Sequence, residues 1–531
     1  MKLEIIPKHD QIRDCFEDLI VSVFDWLNKD CKYLFAYSWD FYYRRIEEAA
    51  KNNDTVGKIL ISGELSLLKE ARILKEVHGV ELLFSRPGSH IDILNAIEKN
   101  CLKGMPTIIY IDTYYCPWDD GMYKEYHHPH FCMAVGIDRQ KEEISCVDAF
   151  PINYDCILPF SDLEKGFDVC VELKILDQNH DFTIREILRK SIDNFEIKIN
   201  GRTKIEMIRD FAFDVQNNMD IKKECQGFED SVWQAPVFEA ITNIVNGRRQ
   251  FGLLIKNSAG EIHQLEQVAK QLEAAANKWS TIKGMLIKAY YKKDNDTLSA
   301  IAEKIRQIAD DEALILSELK LISENDNLDN ININLENTDD FAGLKIISKA
   351  EISDCFNNKG IGICDMNCNA DLTDTGDGNQ AFYIVDDKMS ENKVDPNFNF
   401  PDINGKFDNI SCDGQIIEFN NIKNCNCIMF LGCAEWGNYS EKCTVLYSDG
   451  ETEEVPIEFS DWYFNPVFGE KVVWTGYAAE KKMDRIRQTA ANVYMCSEYQ
   501  KLKRGGSIKS IKLPKCDNIH IFSLTLGNIE K

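Results

Sequence analysis

Two consecutive apolar runs, each marked by a chemically active residue, constrain this chain most. The stretch His127-His128-Pro129-His130-Phe131-Cys132-Met133-Ala134-Val135-Gly136-Ile137-Asp138 puts His130 at the mouth of an apolar strand. The run Ile144-Ser145-Cys146-Val147-Asp148-Ala149 follows and delivers Asp148 at its end. Short apolar runs bounded by turn residues read as buried strands. Helical patterns gather upstream of them, so this part of the chain reads as α+β with an antiparallel sheet.

The upstream pattern matters because it carries a thiol. Phe16, Leu19, Ile20, Val23, Phe24 and Leu27 recur at helical spacing and give a helix with one buried face. Asp14-Cys15-Phe16-Glu17 has the capping-box form, an N-cap acid with Glu three residues on. Cys15 is then the first residue inside the helix, where unsatisfied N–H groups and the helix dipole favour a thiolate. A start at Asp10 would instead put Cys15 in the second turn and leave its reactivity to His130 alone. Other segments are plainer. Residues 58–62 read as a short strand, 66–77 and 89–99 as helices, 107–112 as a strand, and 159–165 as a short closing helix.

Cys, His and Asp in this order suit nucleophilic catalysis. A nearby imidazole activates the sulfur, and a carboxylate holds the imidazole in the productive tautomer. His127 and His128 precede Pro129 and belong to a loop. His130 enters the strand, where the sheet fixes its side chain. The catalytic candidates are therefore Cys15, His130 and Asp148. The Cys15 backbone N–H is a candidate oxyanion donor, with Gln11 as a second.

The whole chain has 531 residues, too many for one core. A formal charge of -26 argues against nucleic acid and against an anionic membrane surface as partners. The first ten residues are too short and too charged for a signal segment, and no apolar run is long enough to span a bilayer. A cytoplasmic protein is expected. The 19 cysteines are odd in number and scattered, which suits reduced, buried thiols rather than a disulfide framework. Cys364, Cys368, Cys425, Cys427 and Cys433 lack the paired knuckles of a zinc ribbon, so no metal and no cofactor is expected.

Four stretches follow. Residues 1–178 form the mixed, thiol-bearing region. Residues 179–325 are helical, with long runs over 265–292 and 297–322 that imply antiparallel neighbours; Trp279 reads as core. Residues 326–340 are rich in Asn and Asp and read as a linker. Residues 341–531 alternate Val, Ile, Phe and Tyr runs with turns, as in the hairpin around Ser448-Asp449-Gly450, and read as an all-β sandwich. Asp371, Asp374 and Asp377 do not fit the spacing of a calcium loop and read as a solvated turn.

The first region resembles the N-terminal domain of the butirosin biosynthesis protein H family. The residues that carry the resemblance are the helix with Cys15, the segment Ile111-Asp112-Thr113-Tyr114-Tyr115-Cys116-Pro117-Trp118, the His-Pro-His130-Phe strand start and the Val-Asp148 strand end. The helical region is similar to the part that follows in such proteins, around 274–279 and 312–319. The resemblance implies a papain-like fold and transfer of an acyl group from a carrier-protein thioester to an amine, as in natural-product biosynthesis. It also makes Asp112 and Tyr114 candidates to line the acceptor site, the other reading being that Asp112 caps the strand end and Tyr114 packs. Cys116 stands where a larger apolar residue is more usual. The last region resembles the β-sandwich modules attached to bacterial glycosidases, on 370–374, 459–463 and 519–526. That implies a galactose-binding-like jelly roll, with Trp462, Tyr463 and Trp436 as candidates to stack on sugar.

Three functions compete. One is a thiol acyltransferase whose partners are an acyl or peptidyl carrier protein and an amine. Such a carrier is acidic, and Arg185, Arg189, Lys190, Lys198, Arg202 and Lys204 form a local cationic cluster to receive it. Another is a cysteine peptidase or amidase acting on a small peptide with the same triad. The third is a non-enzymatic carbohydrate-binding protein that works through its last region.

Overall fold

The computed structural model describes residues 2–10, 12–48, 54–61, 66–119, 122–149, 152–176, 181–229, 231–293, 297–324, 344–374, 380–386, 389, 394–481 and 485–529. The expected linker at 326–340, Gln11 and Asp377 lie outside these residues.

The first region is α+β. In chain order it has α1 (Cys15–Trp26), α2 (Val56–Ile61), α3 (Ser66–Glu76), β1 (Val80–Ser85), α4 (His90–Leu102), β2 (Thr107–Asp112), β3 (Pro129–Asp138), β4 (Glu143–Ala149), β5 (Ile152–Pro159), α5 (Phe160–Gly166) and β6 (Phe167–Ile175). The six strands make one sheet in the order β1-β6-β2-β3-β4-β5, antiparallel throughout. Alternation along the strands sends side chains to two different cores. Met133, Val135 and Val147 pack with Phe16, Leu19, Ile20 and Val23 of α1. Cys132, Ala134 and Cys146 pack with Ile93, Leu94 and Ile97 of α4. His130 and Asp148 fall in the second set by the same alternation.

One expected element is overturned. The segment read as a strand at 58–62 is helical over Val56–Ile61. Its apolar run is too short for periodicity to separate helix from strand. A distant residue decides it: Glu224 accepts hydrogen bonds from the backbone N–H groups of Val56 (2.8 Å) and Gly57 (2.9 Å), capping the helix start.

The helical region holds α6 (Ile184–Glu196), α7 (Lys204–Asn217), α8 (Ile221–Glu224), α9 (Pro236–Asn257), α10 (Leu265–Lys292) and α11 (Thr297–Glu324). Thr183 and Thr203 start α6 and α7 with complete capping boxes, and Pro236 opens α9 at its first turn. At the centre lies a fully buried ion pair. Arg248 of α9 donates from Nε (3.0 Å) and Nη2 (2.8 Å) to the two carboxylate oxygens of Glu312 on α11. Trp39 (2.9 Å) and Trp279 (3.0 Å) donate their indole N–H groups to the same carboxylate, and Arg248 also donates to the Asp40 carbonyl.

The last region is β-rich and sandwich-like: β7 (Leu344–Lys349), β8 (Ile361–Gly362), β9 (Gln380–Ile384), β10 (Ile410–Asp413), β11 (Ile416–Ala434), β12 (Tyr439–Tyr447), β13 (Thr452–Phe459), β14 (Lys471–Lys481), β15 (Ile486–Lys512) and β16 (Lys515–Ile529). The long strands β11 and β15 shift register repeatedly, and such bulges let a sheet bend back over itself. The expected hairpin is present as β12 paired with β13.

This region is seated on α10. Lys288 of α10 donates to Glu435 at 2.6 Å, with both side chains buried, and Lys292 reaches Asp517 at 2.6 Å and Asp374 at 3.2 Å. Gly284 makes the close approach possible. A Cβ there would collide with the Tyr439 hydroxyl and sit 2.8 Å from the Trp436 carbonyl. Among the described residues no helix is long and apolar enough to cross a membrane. Fifteen of the nineteen cysteines are buried, all as free thiols.

Candidate active site

The capping box forms as the sequence dictates. Asp14 Oδ1 accepts from the Glu17 N–H (2.8 Å), and Glu17 Oε2 accepts from the Asp14 N–H (2.9 Å). Cys15 is therefore the first residue of α1, not a second-turn residue, and its thiol is partly exposed. Its backbone N–H belongs to the set of first-turn donors that find no acceptor within the helix. The approach to Cys15 is tied down by Asp18, which is fully buried. Asp18 accepts from Asp10 N–H (3.2 Å) and Arg13 Nε (2.6 Å) and meets His9 Nδ1 at 2.6 Å.

His130 is buried and meets Asp148 through Nε2, 2.7 Å from Oδ2. Cys15 lies close enough to His130 to act on its charge. With Nε2 committed to the carboxylate, Nδ1 is the nitrogen left for sulfur. Burial by itself lowers an imidazole, but the Asp148 hydrogen bond, then Cys15, then their charges lift His130 well above the ordinary range. Asp148 Oδ2 also accepts from Trp118 Nε1 at 2.7 Å. The role of Trp118 was not anticipated from the sequence. Its signal was its place at the end of the segment that starts at Asp112.

Glu17 does more than cap. Gln250 of α9 donates to it at 2.6 Å and also to the Ile12 carbonyl at 2.8 Å, so the helical region holds the start of α1. Burial, with the Asp14 charge adding to it, raises the Glu17 carboxyl to about 8, against hydrogen bonds from the Asp14 backbone, Glu70 and Gln250. Between its ordinary 4.5 and about 8, the folded chain holds a proton that the unfolded chain has lost. Stability therefore falls as pH rises through that window. Glu17→Gln is expected to flatten the fall. Amide-exchange protection of α1 at pH 6 and pH 9 in both proteins tests this, and identical slopes would contradict it.

Asp112 and Tyr114 come together with a residue assigned only to a loop. Asp112 Oδ1 accepts from Tyr114 N–H at 3.0 Å, and its Oδ2 lies 2.7 Å from His127 Nδ1. The His127 ring stacks on Tyr114 with centroids 4.4 Å apart and planes 9° apart. Asp112 pairs in register with Pro129, and Ile111 pairs with His130. This cluster is therefore at the same end of the sheet as His130. Cys116 is buried, and its thiol is pushed up by that burial.

No protein-family model matches the chain, and no curated protein matches it. The site stands on its own geometry. Among the described residues no group of three or more His, Cys, Asp or Glu side chains is placed to hold a metal ion.

The remaining candidates fall elsewhere. Trp462 is a core residue, packed edge-on against Tyr383 and Tyr463. Trp436 is half-buried and stacks on Tyr291 of α10. The ring of Trp462 is thus taken up by packing within the β-rich region, and that of Trp436 faces the helical region. The cationic cluster is also largely committed within the fold. Arg185 and Arg189 donate to the Ile322 and Ser323 carbonyls at the end of α11. Arg202 pairs with Asp210 and Glu48, and Lys204 is buried against Asp40 at 2.6 Å. Lys190 lies 3.5 Å from Glu76, and Lys198 is exposed.

Proposed function

We propose that this chain is a papain-like thiol acyltransferase that forms amides, taking an acyl group from a carrier-protein thioester and giving it to an amine in natural-product biosynthesis. The observation that carries this reading is the Cys15–His130–Asp148 line: a thiol on the first residue of a helix, an imidazole close enough for the two to act on each other's charge, and a buried carboxylate 2.7 Å from that imidazole. The order of the resembling segments in the sequence supports the choice of acyl transfer.

The chemistry follows from the residues. The Cys15 thiolate attacks the thioester carbonyl, and His130 gives its proton to the departing thiol. On this reading the Cys15 N–H, a first-turn donor without an acceptor inside the helix, receives the developing oxyanion. The acyl-enzyme then carries the acyl group until an amine attacks. His130, now neutral, takes a proton from that nitrogen as the Cys15 thiolate leaves. On this reading Asp112 and Tyr114 line the acceptor site.

Intact-protein mass spectrometry after exposure to simple acyl thioesters tests the reading. Wild type is expected to gain the mass of one acyl group, Cys15→Ala to gain none, and His130→Ala to gain it more slowly. An adduct that persists in Cys15→Ala, or none in wild type, overturns it. Turnover with water alone, indifferent to added amines, would favour the peptidase or amidase alternative.

A further inference from the structure

A primary amine reaches neutral water as an ammonium ion. To become an amide nitrogen it must lose two protons: one before it attacks and one as the tetrahedral adduct collapses. Water as acceptor needs only one base. In the site described above, His130 is the only base assigned to the acyl-enzyme.

A second imidazole–carboxylate pair stands at the same end of the sheet as the first. His127 Nδ1 is 2.7 Å from Asp112 Oδ2, so its Nε2 is the nitrogen that remains for a ligand. The ring is held flat on Tyr114 at 4.4 Å. The loop that carries it is pinned: Thr113 N–H donates to the His128 carbonyl (3.0 Å), and Thr113 Oγ1 donates to the Tyr126 carbonyl (3.1 Å). The His127 side chain is 65% exposed, whereas that of Asp112 is 24% exposed. A solvent-facing imidazole fixed from behind has the form of a base that works on an arriving ligand. His127 lies three residues before His130, which limits their Cα separation to about 10 Å. Asp112 is the charged group in contact with His127, and the Lys124 ammonium lies 5.2 Å from the Tyr114 ring centroid and 4.4 Å from that of Tyr115. Lys124 is itself paired with Asp162 at 2.9 Å.

We infer that His127, oriented by Asp112, is a second base that deprotonates an ammonium acceptor before it attacks the acyl-enzyme. This rests on the thiol acyltransfer reading and adds the acceptor class, a basic primary alkylamine. The protons balance. The ammonium gives one proton to His127. The N–C bond forms, the C–S bond breaks, and the second proton goes to neutral His130. This restores the Cys15 thiolate beside an imidazolium, and His127 passes its proton to solvent.

The test uses the full chain, an acetyl thioester of N-acetylcysteamine as donor, and two acceptors. Ethylamine is an ammonium at neutral pH, whereas methoxyamine is a free base there. In His127→Gln, ethylamide formation at pH 7 is expected to fall about 10²-fold or more. Methoxyamide formation should stay at the wild-type rate, and so should acetylation of Cys15 followed by mass. The ethylamine defect should shrink as pH rises and the amine loses its proton. Equal losses with both amines, or no loss with either, overturn the second-base role while leaving the thiol reading intact. Absence of any Cys15 adduct in wild type overturns the thiol reading and this inference together.

Discussion

Asp148→Ala is expected to slow acyl transfer through Cys15 by about 10²–10⁴-fold, the range that a positioned acid–base pair contributes. Two donors converge on Asp148 Oδ2, one from the buried His130 Nε2 and one from the half-buried Trp118 Nε1, each at 2.7 Å. Removing the carboxylate takes the acceptor from both, at about 1–3 kcal/mol for each group left unsatisfied. The Asp148 hydrogen bond is also the largest of the effects that raise His130. Without it the imidazolium gives up its proton at lower pH, so the alkaline limb of the acylation profile moves down. Asp148→Asn keeps an oxygen acceptor and should lose much less. Acylation rates across pH for wild type and both variants check this. Equal rates in Asp148→Ala and wild type would remove Asp148 from the site.

Glu312→Ala is expected to destabilise the fold by about 3–5 kcal/mol, because it leaves the fully buried Arg248 guanidinium without its counter-charge. The loss is not confined to one pair. Trp39 and Trp279 lose the acceptor for their indole N–H groups as well. Arg248→Met removes the cation instead and leaves Glu312 buried with two neutral donors. The two changes share partners, so the double variant should cost less than the sum of the singles. Denaturant unfolding of the four proteins measures this. A single-variant effect under about 1 kcal/mol would place the pair among interactions that add little net stability. The same helix that carries Arg248 carries Gln250, which holds Glu17 and the Ile12 carbonyl, so loosening α9 reaches the start of the thiol helix.

How much of this was legible depends on how local the cause is. The start of α1 was legible because Asp14 and Glu17 cap each other across three residues. The strands with His130 and Asp148 were legible because their apolar runs are bounded by turn residues. The segment at 58–62 was not, because its cap, Glu224, lies far along the chain. β1 was missed for a similar reason. Val80-Glu81-Leu82-Leu83-Phe84-Ser85 has no clean alternation, and among the described residues it pairs with β6 alone, with Val80 opposite Ile175. Trp118 and His127 were visible as residue types, but their roles come from side-chain partners that spacing does not reveal. For Trp462 the sequence left core packing and sugar stacking both open, since an aromatic pair in a β-rich stretch reads alike whether it lines a core or a surface; the packing places it in the core.

The contact between α10 and the β-rich region changes what that region can be for its neighbour. A module on a free tether searches a volume set by the length of its linker. Here Gly284 lets the two backbones meet, and Lys288 is buried against Glu435. α10 in turn packs along α9, the helix that holds the start of α1. Anything bound by the β-rich region is therefore offered to the thiol end at one distance and one angle, as by a bracket rather than a leash.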